Sequence, residues 1–244
     1  NNVTQFMTAT NICFMVPVYQ RNYDWGEDNC KQLWTDLRYL ALDETSKTHF
    51  LGTICSKTTN SREKSIINGQ QRLTTLSLLI KAMHDRVENE SFKRNLDERF
   101  LRNTDFGVSP EHVVKLHLNR RDEAIFNKLL ARKTFEGTDD LTADEASSSV
   151  YLNYLYFYER MGELTDAQML AVRDALDRMV IVDLDVESEN PQEIFESLNS
   201  TGLDLTDVDL LRNYLLMSLD HETQTRLYED YWFRIEQNVG PANM

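Results

Sequence analysis

Cysteine, histidine and basic charge are all scarce in this chain of 244 residues. Three cysteines and five histidines are present, and 26 Lys and Arg stand against 40 Asp and Glu. Cys13, Cys30 and Cys55 are widely spaced and have no Cys or His nearby, which argues for reduced structural thiols rather than disulfides or zinc ligands. His112 and His117 do not form the i,i+4 pair of a helical metal site. No uninterrupted apolar run reaches membrane-spanning length, and the first residues do not read as a signal sequence. The expectation is a cytoplasmic protein without a membrane partner. A formal charge of −14 argues against nonspecific DNA binding by the whole surface, and leaves room for a local basic patch. There is no complete Walker A motif, no HExxH, no GxSxG, no nucleophile triad and no internal repeat.

Charge is also unevenly spread. Between Met179 and Leu211 there are nine acidic residues and no Lys or Arg, whereas Lys57 to Arg72 is mainly basic. Folding these two stretches together would create a polar cleft of strong charge contrast.

Periodicity divides the chain. Thr8 to Arg21 reads as a short β element ending near Pro17, which cannot donate to a ladder. Cys30 to Leu42 reads as a helix, with Leu33, Trp34, Leu37, Leu40 and Ala41 on its apolar face. His49 to Ser56 is an expected strand, Lys57 to Lys64 a hairpin-like turn, and Ser65 to Ile67 the next strand. At Gly69 the period changes from two to 3.6. Gln70 to Val87 is then an expected helix, buried through Leu73, Leu76, Leu79, Ile80 and Met83. Glu111 to Leu118 is read as holding a short strand, and Arg121 to Lys133 as a helix. Thr138 to Ser149 is the best candidate boundary. Val150 to Arg160 and Thr165 to Met179 read as helices, and Val180 to Val186 as a strand. Pro191 can start a helix that ends at Asn199 to Gly202. Thr206 is a plausible N-cap with Asp209 in the capping-box position, and Arg226 to Ile235 starts a last helix.

Three clusters carry chemistry. The first is Ile66-Ile67-Asn68-Gly69-Gln70-Gln71-Arg72-Leu73-Thr74. A strand meets glycine and then a helix start, where four N–H groups lack intrahelical partners. Gly69 would let an anion approach the backbone, Arg72 can hold a phosphate bidentately, and Gln70, Gln71 and Thr74 can add polar contacts. The alternative is a capped strand–helix joint. The second cluster is Pro17 to Trp25. Here Tyr19, Tyr23 and Trp25 can stack on a base, while Gln20 and Arg21 read polar edges or hold phosphate. The alternative is a structural aromatic corner. The third runs from Asn190 to Asn213, with Asn199 at a loop corner. Asp204, Asp207 and Asp209 are carboxylates able to hold Mg²⁺ through water, or merely to cap helices. No dedicated protein metal site is expected.

Taken together, Val16 to Trp25, Ile66 to Thr74, Ile194 to Gly202 and Asp209 to Asn213 resemble the ParB/sulfiredoxin-like N-terminal family of GmrSD-type, modification-dependent restriction proteins. The resemblance spans roughly residues 14–214. It implies an α+β fold with a small mixed-sheet ParB-like core over residues 1–90. A mostly helical region follows over 91–244, with 180–214 returning to complete the site. It also implies binding and hydrolysis of a nucleoside triphosphate (NTP) with Mg²⁺, in defence against modified phage DNA. Cutting is then the task of a C-terminal nuclease domain or separate nuclease subunit.

On that resemblance Tyr19, Gln20, Arg21, Gly69, Gln70, Arg72, Thr74 and Asn199 are the nucleotide-binding candidates. The candidate catalytic set is Asn68, Gln71, Asp24 and Asp204. One departure matters: the family usually has Asp-Gly-Gln-Gln-Arg where this chain has Asn68-Gly69-Gln70-Gln71-Arg72. The amide loses the charge with which a carboxylate accepts a proton or binds Mg²⁺. The two expected functions are therefore a nucleotide-binding, hydrolysing regulatory module and a non-enzymatic DNA-sensing or protein-interaction module.

Overall fold

The computed structural model describes residues 1–43, 45, 47–132, 140–186, 206–217 and 219–239. A mixed sheet of five strands forms its centre, in the order β4-β1-β3-β2-β5. The strands are β1 (Cys13–Met15), β2 (His49–Asn60), β3 (Glu63–Asn68), β4 (Leu116–His117) and β5 (Met179–Asp185). β1 runs parallel to both β3 and β4. β2 is antiparallel to β3 and parallel to β5.

Alternation along the strands splits the apolar residues between two faces. Ile54 and Ile66 enter the main core, while Cys55 and Ile67 enter a second cluster with Tyr19, Val186, Leu216, Met217, Tyr228 and Trp232. The main core draws residues from Val3 through to Ile181. Because β4 and β5 lie beyond residue 90, sheet and core are continuous across the division expected there.

The helices in chain order are α1 (Val3–Met7), α2 (Glu27–Leu42), α3 (Gln70–Arg86), α4 (Glu90–Leu96), α5 (Arg120–Ala131) and α6 (Ala143–Ala146). They continue as α7 (Ser149–Gly162), α8 (Asp166–Ala175), α9 (Asp207–Leu216), α10 (His221–Leu227) and α11 (Phe233–Val239). α3 is central. Every residue from Gln70 to Met83 except Arg72 is buried, so the expected apolar stripe widens to the whole circumference. Arg86 at its end lies 3.7 Å from the Tyr158 ring centroid on α7 and donates to the Tyr158 carbonyl at 2.9 Å. Tyr151 and Tyr154 of α7 are buried, which makes that aromatic face packing rather than a stacking platform.

One element is added and three local expectations change. Residues 3–7 form a helix, closed by an Asn2–Gln5 capping box. The extended segment expected over 8–21 shrinks to Cys13–Met15, and Gln20 N–H then turns back to the Pro17 carbonyl at 3.0 Å. The turn expected over 57–64 contracts to two residues, because Lys57 and Thr58 continue the ladder opposite Ser65 and Lys64. Finally, part of the expected boundary is folded. Thr142 caps α6 in a capping box, and Lys128 of α5 ion-pairs with Glu145 at 2.7 Å.

Among the described residues, Lys64 of the basic stretch pairs with Asp185 of the acidic stretch at 2.9 Å across the sheet. The three cysteines are free and buried.

Candidate functional site

The parallel strands β1, β3 and β4 end on the same side of the sheet. β1 hands the chain to the loop 16–26, β3 to α3 and β4 to α5. Ligands of open α/β sheets gather at such carboxyl ends.

Gly69 makes the β3–α3 joint. It is the N-cap of α3 with φ 97°, in the left-handed region that favours glycine. A Cβ there would lie 3.0 Å from Ile54 Cγ1 and 3.1 Å from both Ile54 Cα and the Thr53 carbonyl. The close approach that demands glycine is thus to β2. The space beside its α-carbon is filled by protein, which corrects the expectation of room for an anion on that side.

The amides of the motif hold the loop 16–26. Gln20, buried, donates from Nε2 to the Ile67 carbonyl at 2.8 Å. Gln70 Nε2 donates to the Arg21 carbonyl at 2.9 Å, and Gln71 Nε2 to the Asn22 carbonyl at 3.1 Å. Gln71 Oε1 accepts from the N–H groups of Asp24, at 2.9 Å, and Trp25, at 3.1 Å. One glutamine therefore satisfies three main-chain groups of the loop. Unpaired polar groups in a partly buried loop are costly, so such clamps fix its path.

Four further residues join the clamp, and of these only Arg212 lies in a stretch that the sequence marked. Asn119 Nδ2 donates to the Gln20 carbonyl at 2.9 Å and the Arg21 carbonyl at 3.1 Å. Asp122 Oδ2 accepts from the Tyr23 N–H at 2.6 Å. Asn153 Nδ2 of α7 reaches both the Tyr23 hydroxyl, at 2.9 Å, and the Trp25 carbonyl, at 2.6 Å. Arg212 Nε of α9 donates to the Tyr19 carbonyl at 2.6 Å. Asn119 and Asp122 stand where a helix start wants Asn and Asp, and their local signal is a cap and a first-turn acid. Burial raises the Asp122 carboxyl to about 6, against the lowering effects of the Tyr23 N–H and the Arg121 charge. Burial also holds the Tyr23 and Tyr19 hydroxyls in the neutral form, with pKa values well above the ordinary tyrosine value.

The aromatic candidates are enclosed. Tyr19 belongs to the second core cluster, Tyr23 is buried beside Thr75, and Trp25 packs against the main core. Tyr19 is 3% exposed, which corrects its expected role as a stacking platform. Thr74 is 1% exposed and lies inside the fold rather than at a phosphate. Arg21, Asn68 and Arg72 are half-buried, and Asp24 is exposed. Arg72 Nη1 donates to the Thr53 carbonyl at 3.2 Å, and its guanidinium runs over Gly52, where a Cβ would lie 2.7 Å from Nε. Burial lowers the pKa of Arg72. Asp209 caps α9 and binds Arg212 Nη2 at 2.6 Å, the capping alternative. Asn199 and Asp204 lie outside the described residues. Among the described residues no group of three or more His, Cys, Asp and Glu is placed to hold a metal ion.

The first turn of α3 contains no acidic residue and its N-cap supplies no side-chain cap. The positive end of a helix of 17 residues is thus left without an acid of its own turn.

Comparison with known proteins agrees with the motifs. The family described as GmrSD restriction endonuclease, N-terminal domain, matches over residues 3–216. No curated protein matches the chain.

Proposed function

Because this chain belongs to the GmrSD restriction endonuclease N-terminal domain family, which is associated with modification-dependent restriction, we propose that it is the nucleotide-binding regulatory module of such a system. The observation that carries this reading is the α3 N-terminus at Gly69, uncapped by a side chain and free of acid, with the Arg21 backbone docked on it by Gln70. Helix N-termini of this kind bind phosphate through backbone N–H groups and the helix dipole. Arg72, and Arg21 from the clamped loop, supply the cationic side chains for a triphosphate. Gln20, Gln70 and Gln71 act indirectly by fixing the loop. Mg²⁺ would arrive with the nucleotide, whose phosphates provide oxygen ligands.

Hydrolysis is a separate matter. Asn68 replaces the family's carboxylate, and a neutral amide neither accepts a proton nor binds Mg²⁺ as a carboxylate does. That substitution favours binding over vigorous turnover, and so supports a sensing module as the second reading. Cutting is assigned to a C-terminal nuclease domain or a separate nuclease subunit, with modified DNA as the expected trigger.

Phosphate release from nucleoside triphosphates, with and without modified DNA, separates the two. Sustained release that disappears in Arg72→Ala supports the hydrolysing module. DNA binding that nucleotide does not alter, without release, supports the sensing module.

A further inference from the structure

A polar cavity of about 220 Å³ opens at the other end of the sheet, beside the amino ends of β1 and β4. Thr8, Thr10 and Asn11 wall one side, and Glu98, Arg99, Asn103, Thr104, Asp105 and Lys115 the rest. Lys115 is 4% exposed. Its Nζ meets the carbonyls of Ala9, at 2.6 Å, and Met7, at 3.4 Å, rather than a carboxylate. An ammonium has three donors, so this leaves one hydrogen for the cavity. Asn103 is 5% exposed, and its Oδ1 has no hydrogen-bond partner among the described residues. Its Nδ2 is committed to the Ile12 and His112 carbonyls at 3.2 Å and 2.9 Å.

Buried charge is expensive unless an opposite charge accompanies it. Here two cations face one cavity. Burial lowers the Lys115 pKa to about 8, and the Arg99 guanidinium pushes it the same way, outweighing the opposing effects of Cys13 and Asp105. Of the two carboxylates on the wall, Asp105 is held by Asn11 Nδ2 at 2.9 Å, and Glu98 is exposed at the rim. Neither Lys115 nor Arg99 forms an ion pair with these or other carboxylates among the described residues.

We propose that this cavity is a binding site for a small phosphate-type anion, held by Lys115 and Arg99. The volume falls below the roughly 300 Å³ of ordinary small-molecule pockets, so it suits phosphate or a small phosphomonoester rather than a whole nucleotide. The site is separate from the α3 N-terminus and does not depend on the nucleotide reading.

The test is calorimetric titration of the intact chain with inorganic phosphate and, separately, with sulfate, which stays dianionic across the range used. Sulfate affinity is expected to fall about tenfold between pH 7 and pH 9, as an ammonium titrating near 8 loses its proton. Lys115→Met is expected to abolish binding of both anions. Arg99→Gln changes an exposed side chain, retains the fold and is expected to weaken binding at least fivefold, so the test survives a Lys115 variant that fails to fold. Absence of binding at ten millimolar to folded protein overturns the proposal. So does binding that neither substitution at Lys115 or Arg99 alters.

Discussion

The hydroxyl of Tyr23 lies 2.6 Å from that of Thr75, so the loop after β1 is bonded into the second turn of α3 across the interior. Asn153 of α7 completes the contact from the other side. The loop is thereby held by side chains of α3, α5, α7 and α9 rather than by a ladder of its own.

Gln71 is the most connected member of this clamp. Replacing it with Leu leaves the Asp24 and Trp25 N–H groups and the Asn22 carbonyl without their partner. The expected cost is about 2–4 kcal/mol, at 1–3 kcal/mol for each group that remains shielded from water. Gln71→Glu keeps the acceptor and loses the donor, so it should cost less. Denaturant unfolding of both variants checks the order; equal stability of Gln71→Leu and the parent would remove the clamp.

Gly69→Ala puts a methyl group against Ile54 and Thr53 in a left-handed conformation. The backbone contribution alone is roughly 1–2 kcal/mol. The contact at 3.0 Å adds to it. A clear drop in Tm is expected, and an unchanged Tm would show that β2 does not press on this joint.

Asp122 makes stability depend on pH. Its folded pKa of about 6 exceeds the unfolded value of about 3.9. Between these values the folded protein holds more protons, so the Asp122 contribution is fully present below about pH 4 and is lost as pH rises through 6. Asp122→Asn retains an acceptor for the Tyr23 N–H and removes the titration. It should flatten this part of the stability profile and leave the variant more stable than the parent above pH 6. An identical pH slope in both proteins would contradict the assignment.

Asn68→Asp places a carboxylate at the end of β3, beside Gly69. Turnover of nucleoside triphosphate should rise while affinity changes little or falls, because the added charge also repels phosphate. Rate and affinity are measured separately, by phosphate release and by titration. A variant no faster than the parent would show that Asn68 is not what limits chemistry.

Much of the scaffold was legible because it is local. The change of period at Gly69 marked both β3 and the long α3, and Thr206 with Asp209 marked the start of α9. In the sequence Gly69 reads as a place where an anion approaches the backbone, whereas the close neighbour is β2. β4 has two residues and no periodicity of its own to read. The clamp was hidden for a different reason. Gln71 reaches back to Asn22, and Asn153 to Tyr23, over separations at which hydrogen bonds leave no trace in local spacing. Asn119 and Asp122 were masked by their second identity as ordinary helix-start residues. Polar motif residues that looked free to meet a ligand were largely taken up by the fold.

Calorimetric titration of the folded chain with ATP, GTP, CTP and UTP, each with Mg²⁺, tests nucleotide binding at the α3 N-terminus most directly. At least one nucleotide should bind, and Arg72→Ala, confirmed as folded, should weaken that binding tenfold or more, about 1.4 kcal/mol. Failure of all four to bind at millimolar concentration, or binding unchanged in the Arg72 variant, would contradict it.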